Sequence, residues 1–137
     1  MSGTKAALRR FGSMEGRILV VEDDLLNRMF YHEVLSGCGY DVEQVSDGAL
    51  VLGEVARFKP DAITMDIQLP NISGLRLIRK LQSNPATHDI PIIAITAFAG
   101  KGEEERIREA GAKAYLAKPV TIPKLLDAVE TMLGAKV

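Results

Sequence analysis

Ile18–Asp24 reads ILVVEDD, a short and mostly β-branched apolar run that halts at three consecutive acids. Such a run suits a strand buried on both faces, and the abrupt polar end marks where the chain leaves a sheet. The same device recurs downstream. Tyr40–Val45, Ala62–Met65, Ile92–Thr96 and Ala114–Ala117 read as further strands. Helical spacing fills the intervals between them. Leu26, Met29, Phe30 and Val34 form an apolar stripe closed by Gly37 and Gly39. Asp47 is a candidate N-cap for a helix through Leu52, Val55 and Phe58, stopped by Pro60. Ser73 can cap a helix with Leu77, Ile78 and Leu81 on one face. A charged, weakly amphipathic helix covers Glu103–Ala110, anchored chiefly by Ile107 and Ala110. Thr121 caps a last helix carrying Leu125, Leu126, Val129, Met132 and Leu133.

That is a chain of βα units with short connections. Nearly continuous apolar strands are expected where helices cover both faces of a parallel sheet. Right-handed crossovers then make a doubly wound (βα)5 α/β fold, a five-stranded parallel sheet of the flavodoxin-like kind. Ligands in that architecture bind beyond the carboxyl ends of the strands.

The bulk properties narrow the function. The 137 residues suffice for one domain with a core of its own. Seventeen basic and eighteen acidic side chains leave a net charge of -1, which gives no nucleic-acid footprint. Cys38 is the only cysteine, so no intrachain disulfide can form and a reducing compartment is expected. No apolar run approaches the roughly 20 residues that span a bilayer, and no signal peptide is visible. A cytoplasmic protein without membrane insertion is the expectation. Residues 1–16 (MSGTKAALRRFGSMEG) lack periodicity and carry a basic surplus. They read as a disordered tail or an expression remnant, with Met14 a candidate original start and the domain at 17–137.

Chemistry gathers where the strands end. The first is followed by Glu22, Asp23 and Asp24, the third by Asp66, the fourth ends in Thr96, and the fifth delivers Lys118. Each has an ordinary explanation by itself. Asp24 suits a helix N-cap, a Thr at a strand end satisfies backbone, and a Lys before Pro is a solvated loop charge. Together they leave several carboxylates at one end of a sheet. Two unit charges ~4 Å apart repel by about 4 kcal/mol at an effective dielectric of 20, so something positive must relieve them. Oxygen donors without nearby His or Cys favour Mg²⁺. Lys118 adds a point charge suited to phosphate. An ionised Asp beside such a cation is a competent nucleophile toward phosphorus, and the charge of a transferring phosphoryl group is spread by the same cations. Thr96 Oγ1 is placed to hydrogen-bond the product.

These pieces resemble the receiver domains of two-component response regulators, over roughly Arg17–Leu133. The resemblance is carried by ILVVEDD (Ile18–Asp24), MDIQLPNISG (Met65–Gly74), AITA (Ala94–Ala97) and YLAKP (Tyr115–Pro119). AFAGKGEEERIREAG (Ala97–Gly111) and the lack of an output domain resemble the single-domain, DivK-type branch. The resemblance implies that Glu22 and Asp23 are the acidic pair, with Asp23 the more direct metal ligand and Glu22 acting through a metal-bound water. It implies that Asp66 is the phospho-acceptor and the main-chain carbonyl of Gln68 a further Mg²⁺ ligand. Thr96 and Tyr115 match the family's switch pair, and Lys118 matches its phosphate-contacting lysine, with Lys118–Pro119 a candidate cis peptide. This chain departs slightly from the family pattern at Glu22, where many relatives carry Asp. A histidine kinase or phosphotransfer protein is the implied donor. A downstream kinase or adaptor is the implied partner of the face made by the fourth helix, fifth strand and fifth helix.

Other chemistry is not encoded. Phosphate-loop, dinucleotide, zinc-protease and nucleophile-elbow motifs are all missing, and the Gly100–Lys101–Gly102 stretch is a loop. His32 and His88 lack ligand-spaced neighbours, and Cys38 reads as a structural thiol. A small Mg²⁺ phosphohydrolase would want a general acid beside Asp66, where Gln68 stands instead. A scaffold that never takes phosphate leaves the filled set of polar strand ends unexplained. A receiver excised from a hybrid histidine kinase remains open. The expectation is a phospho-acceptor switch rather than an enzyme, capable only of self-phosphorylation and slow autodephosphorylation.

Overall fold

The computed structural model describes residues 15–98 and 100–134. Most of the tail expected at residues 1–16, Met14 included, lies outside the described residues, as does Ala99 in the loop before the fourth helix. The elements run β1 (Arg17–Val21), α1 (Leu25–Gly37), β2 (Asp41–Val45), a 3₁₀ turn (Gly48–Leu50) leading into α2 (Val51–Phe58), and β3 (Ala62–Asp66). They continue with α3 (Gly74–Ser83), β4 (Ile92–Thr96), α4 (Lys101–Ala110), β5 (Ala114–Ala117) and α5 (Ile122–Gly134).

The strands form one five-stranded sheet in the order β2-β1-β3-β4-β5, every neighbouring pair parallel. Side chains alternate between faces along each strand, so one strand feeds two cores. Leu19, Val21, Ile63, Met65, Ile92 and Ala94 pack against α2, α3 and α4. Ile18, Val20, Ala62, Ile93 and Ile95 pack against α1 and α5 through Tyr31, Leu35, Leu125, Val129 and Leu133. Full burial of a side chain of this size stabilises by roughly 1.5–3 kcal/mol, so both faces are needed to hold the sheet. The expected doubly wound α/β fold is present. Among the described residues no helix is long and apolar enough to cross a membrane.

Caps set where the helices start. Asp24 Oδ2 accepts the Asn27 N–H at 2.9 Å, and Ser73 Oγ accepts that of Leu75 at 3.1 Å. Asp47 Oδ1 accepts the Ala49 N–H at 2.9 Å, which caps the 3₁₀ turn rather than α2 itself. Thr121 Oγ1 lies 3.4 Å from the Lys124 N–H.

The α1 stripe differs from its expected placement. Tyr31 and Leu35 are its buried residues, Phe30 and Val34 are half-buried, and Leu26 and Met29 are 76% and 51% exposed. Apolar side chains run most of the way around this helix, so spacing alone does not select the face that meets the sheet.

Candidate functional site

In the order β2-β1-β3-β4-β5 the chain reverses direction between β1 and β3, and the crevice at such a switch point is where this architecture binds ligands. The acids fall there. Glu22 is wholly buried, and its N–H continues the ladder to Val45 O at 3.1 Å. Asp23 is exposed, at the lip of the crevice. Arg28, one turn into α1, donates through Nη1 to the main-chain oxygens of Glu22 and Asp23 at 3.1 and 3.2 Å. That contact fixes how the acidic pair leaves β1. Asp66 closes β3, 2% exposed, and its Oδ1 accepts the Gln68 N–H at 2.9 Å. One carboxylate oxygen from each of Glu22, Asp23 and Asp66 lies within 4.8 Å of the others.

The loop from Asp66 to α3 must fold back tightly, and Gly74 permits it. A Cβ at that position would collide with the Asp66 main-chain oxygen and lie 2.7 Å from Ile67 Cα. Both obstacles are backbone, which cannot step aside, so only glycine fits.

Lys118 supplies the positive side. Its Nζ is 3.3 Å from Asp66 Oδ2 and 3.4 Å from Glu22 Oε1. The Lys118–Pro119 peptide is cis, and the Lys118 N–H donates to Thr96 O at 2.8 Å. Burial pushes the Glu22 carboxyl up to about 7, and the neighbouring Asp66 adds to the rise against the Asp24 N–H and Lys118. For Lys118 burial works the other way, but Glu22 and Asp66 outweigh it and raise the pKa of the ammonium. Glu22 Oε1 is buried without a hydrogen-bond partner, touched by Lys118 as an ion pair only. An oxygen-only donor set with one orphaned carboxylate atom is under-supplied with positive charge, and a hard divalent cation fits it.

On the neighbouring strand Thr96 is fully buried. Its Oγ1 accepts from Gln68 Nε2 at 2.7 Å and from the Phe98 N–H at 3.1 Å. The Ala97 N–H donates to Gln68 Oε1 at 2.9 Å. Tyr115, half-buried on the edge strand β5, donates its hydroxyl to Phe98 O at 3.4 Å. Glu22, Asp23, Asp66 and Lys118 are thus brought together, with Thr96 beside them and Tyr115 joined through the Phe98 loop. Two contributors escaped the sequence reading: the Arg28 guanidinium and the Gln68 carboxamide. Neither has a motif: Arg28 meets main-chain oxygens that any residue could offer, and Gln68 meets Thr96 Oγ1 and the Ala97 N–H only once β3 and β4 lie side by side. His88 is engaged with exposed Asp89 at 3.1 Å, and Cys38 is a free thiol whose pKa burial raises, with Glu130 adding to it.

Residues 18–130 match the family model for the response regulator receiver domain. The chain is 38% identical over 121 residues to the polar-differentiation response regulator DivK of Brucella anthropi, covering 88% of this chain and 98% of the relative. A putative response regulator from Chloroflexus aurantiacus superposes with a TM-score of 0.83 at 32% identity, over 88% of this chain and 98% of that one. The receiver domain of a sensor histidine kinase from Pseudomonas aeruginosa, crystallised with a magnesium ion coordinated in its active-site cleft, gives 0.80 at 34% identity over the same shares. Sheet order, acidic crevice and sequence match agree, and the chain belongs to the response regulator receiver domain family.

Proposed function

We propose that Asp66 accepts a phosphoryl group from a histidine kinase or phosphotransfer protein in a Mg²⁺-dependent reaction, and that the loaded protein signals by binding another protein. The observation that carries this reading is the buried Asp66 carboxylate, 3.3 Å from Lys118 Nζ and grouped with the oxygens of Glu22 and Asp23. Asp23, Asp66 and the Gln68 carbonyl are suited to hold Mg²⁺, with Glu22 acting through water, and the bound ion would neutralise charge on the phosphoryl oxygens. An Asp66 oxygen bonds to phosphorus as the phosphorus–nitrogen bond of the donor's phosphohistidine breaks, and the imidazole leaves. Lys118 neutralises the charge that arrives on Asp66. Thr96 then hydrogen-bonds the phosphoryl group, and Tyr115 follows through Phe98. No external substrate is turned over, and slow loss of the phosphoryl group to water resets the switch in the cytoplasm.

Exposed apolar side chains support protein partners. Leu25, Leu26, Met29, Phe98 and Ile122 are large, exposed, and set in loops or the first two helical turns that follow strands. They therefore share the sheet edge with Asp66, where a donor must dock. A second face, between β5 and α5, carries a groove of about 570 Å³ lined by Arg108, Tyr115, Lys124, Asp127 and Met132 among others. That groove is the candidate output surface for a downstream kinase or adaptor.

A receiver module of a larger hybrid kinase is a second reading. It is favoured by the likeness to the histidine-kinase receiver domains from Pseudomonas aeruginosa and Syntrophus aciditrophicus, the latter 29% identical with a TM-score of 0.81.

Incubation with acetyl phosphate and Mg²⁺ tests the acceptor. Intact mass should rise by one phosphoryl group, and Asp66→Asn should prevent it. Labelling of the Asn variant at the parent's rate, on an acid-stable site, would remove the assignment.

A further inference from the structure

Gln68 reaches both sides of the crevice. Its main-chain N–H donates to Asp66 Oδ1 at 2.9 Å. Its side chain crosses to β4, where Nε2 donates to Thr96 Oγ1 at 2.7 Å and Oε1 accepts the Ala97 N–H at 2.9 Å. One residue joins the strand that would carry the phosphoryl group to the strand that would report it.

The chemistry of those contacts sets up a competition. A phosphoryl group brings three acceptor oxygens and needs donors. The end of β4 offers two: the Thr96 hydroxyl and the Ala97 N–H. The second is occupied by Gln68 Oε1. The first accepts from both Gln68 Nε2 and the Phe98 N–H, and its own proton is directed at Phe98 O, 3.4 Å away. Thr96 can donate to a phosphoryl oxygen only by turning out of this arrangement, and Ala97 only by releasing the carboxamide.

Resting on the reading of Asp66 as acceptor, we propose that the Gln68 side chain is a latch: it holds Thr96 and Ala97 in the unphosphorylated arrangement and must be displaced when Asp66 is loaded. Gln68 is a positioning residue for the switch, separate from the Mg²⁺ role of its main-chain carbonyl. Its length matters. A side chain one methylene shorter cannot be held by both partners from the same backbone position. The latch lowers apparent affinity for a phosphoryl group by stabilising the state that does not bind it, as any contact made only in the competing state does.

Titration with beryllofluoride, a stable phosphoryl mimic, in the presence of Mg²⁺ tests the latch. Gln68→Leu keeps the bulk and removes both hydrogen bonds. It should bind beryllofluoride about fivefold or more tightly than the parent, the lower end of usual coupling strengths. Without beryllofluoride, the amides of Ala97 and Phe98 should exchange faster in the variant by a similar factor. Gln68→Asn should move both readings the same way, and serves if the Leu variant folds poorly. In a Thr96→Ala background the gain from Gln68→Leu should shrink, because one of the two latch partners is gone. Equal or weaker beryllofluoride affinity in both variants overturns the latch, as does a gain undiminished in the Thr96→Ala background. Failure of the parent itself to bind beryllofluoride overturns the reading of Asp66, and the latch with it.

Discussion

Two ten-residue helices, α3 and α4, pack on the same face of the sheet and differ in how firmly they are held. Helix α3 buries Gly74, Leu75, Leu77, Ile78 and Leu81, and Ser73 caps it with a side-chain hydrogen bond. Helix α4 buries only Ile107 and Ala110, and Gly100 offers no side chain to cap it. The first follows Asp66 and the second follows Thr96. Local stability tracks buried apolar contact, so Asp66, the proposed acceptor, rests on the more firmly held part of the molecule, and Thr96, the proposed reporter, on the part that opens more easily. A switch needs that division. An acceptor that shifted would lose its geometry with Lys118 and the acids, and a reporter that could not shift would transmit nothing.

The largest effect should come from cutting into the stiff helix. Leu77→Ala removes a fully buried side chain and should lower global stability by about 2–5 kcal/mol in denaturant unfolding. Ile107→Ala is also a truncation in the core, but α4 can take up much of the cost by opening alone. Its global loss should be smaller, with faster amide exchange confined to α4. Equal global losses, with exchange in α3 and α4 raised alike, would erase the distinction.

The stiff half also holds a stored electrostatic cost. Glu22 has its pKa raised from 4.5 to about 7 by burial first and by Asp66 second. Between those values the folded protein keeps a proton that the unfolded chain has lost. Stability of the metal-free protein should therefore fall as pH rises through this window and level off above it, by roughly 3 kcal/mol at most. Glu22→Gln, compared with the parent at pH 5 and pH 8, should lose that part of the slope, and Mg²⁺ should recover stability in the parent at pH 8. Parallel slopes in parent and variant would show that the cost lies elsewhere.

On the mobile side, Tyr115→Ala removes the hydroxyl that meets Phe98 O. Phosphorylation of Asp66 should survive, while the difference in α4 amide exchange between loaded and unloaded protein should shrink about fivefold, within the usual range of coupling between sites. A full response in the variant would mean that the message bypasses β5.

Much of this division was legible in the residues. The apolar runs gave every strand to within a residue: Arg17 joins β1, Asp66 joins β3, and Tyr40 falls just outside β2. The thin anchoring of α4 on Ile107 and Ala110 was legible too, because the rest of that helix is charged apart from Gly102. What spacing could not deliver was the orientation of α1, where apolar residues on most sides left the choice to tertiary packing. Nor could it find the Gln68 carboxamide and the Arg28 guanidinium as parts of the site. Their partners are Thr96, Ala97 and the carbonyls of Glu22 and Asp23, a match of reach and direction that exists only once the strands are side by side.

The smallest predicted effect tests the contrast most directly, because it changes α4 alone. Gly100 has extended backbone at φ -166° and ψ 155°, which any residue adopts, and a Cβ there would meet nothing within 4 Å. Gly100→Ser can therefore be made without strain and supplies the kind of cap that Ser73 gives α3. A Ser in place of Gly at an N-cap contributes a few tenths of a kcal/mol. That is invisible in global unfolding but amounts to a slowing of roughly twofold in the opening of α4, readable by amide exchange at Glu103–Ala110, with α3 unchanged. Slower opening should also weaken the response to phosphorylation by a similar small factor, since the loaded arrangement draws on the same mobility. If the capped variant slows exchange in α4 and yet responds in full, looseness of α4 is a property of the fold without a part in the switch.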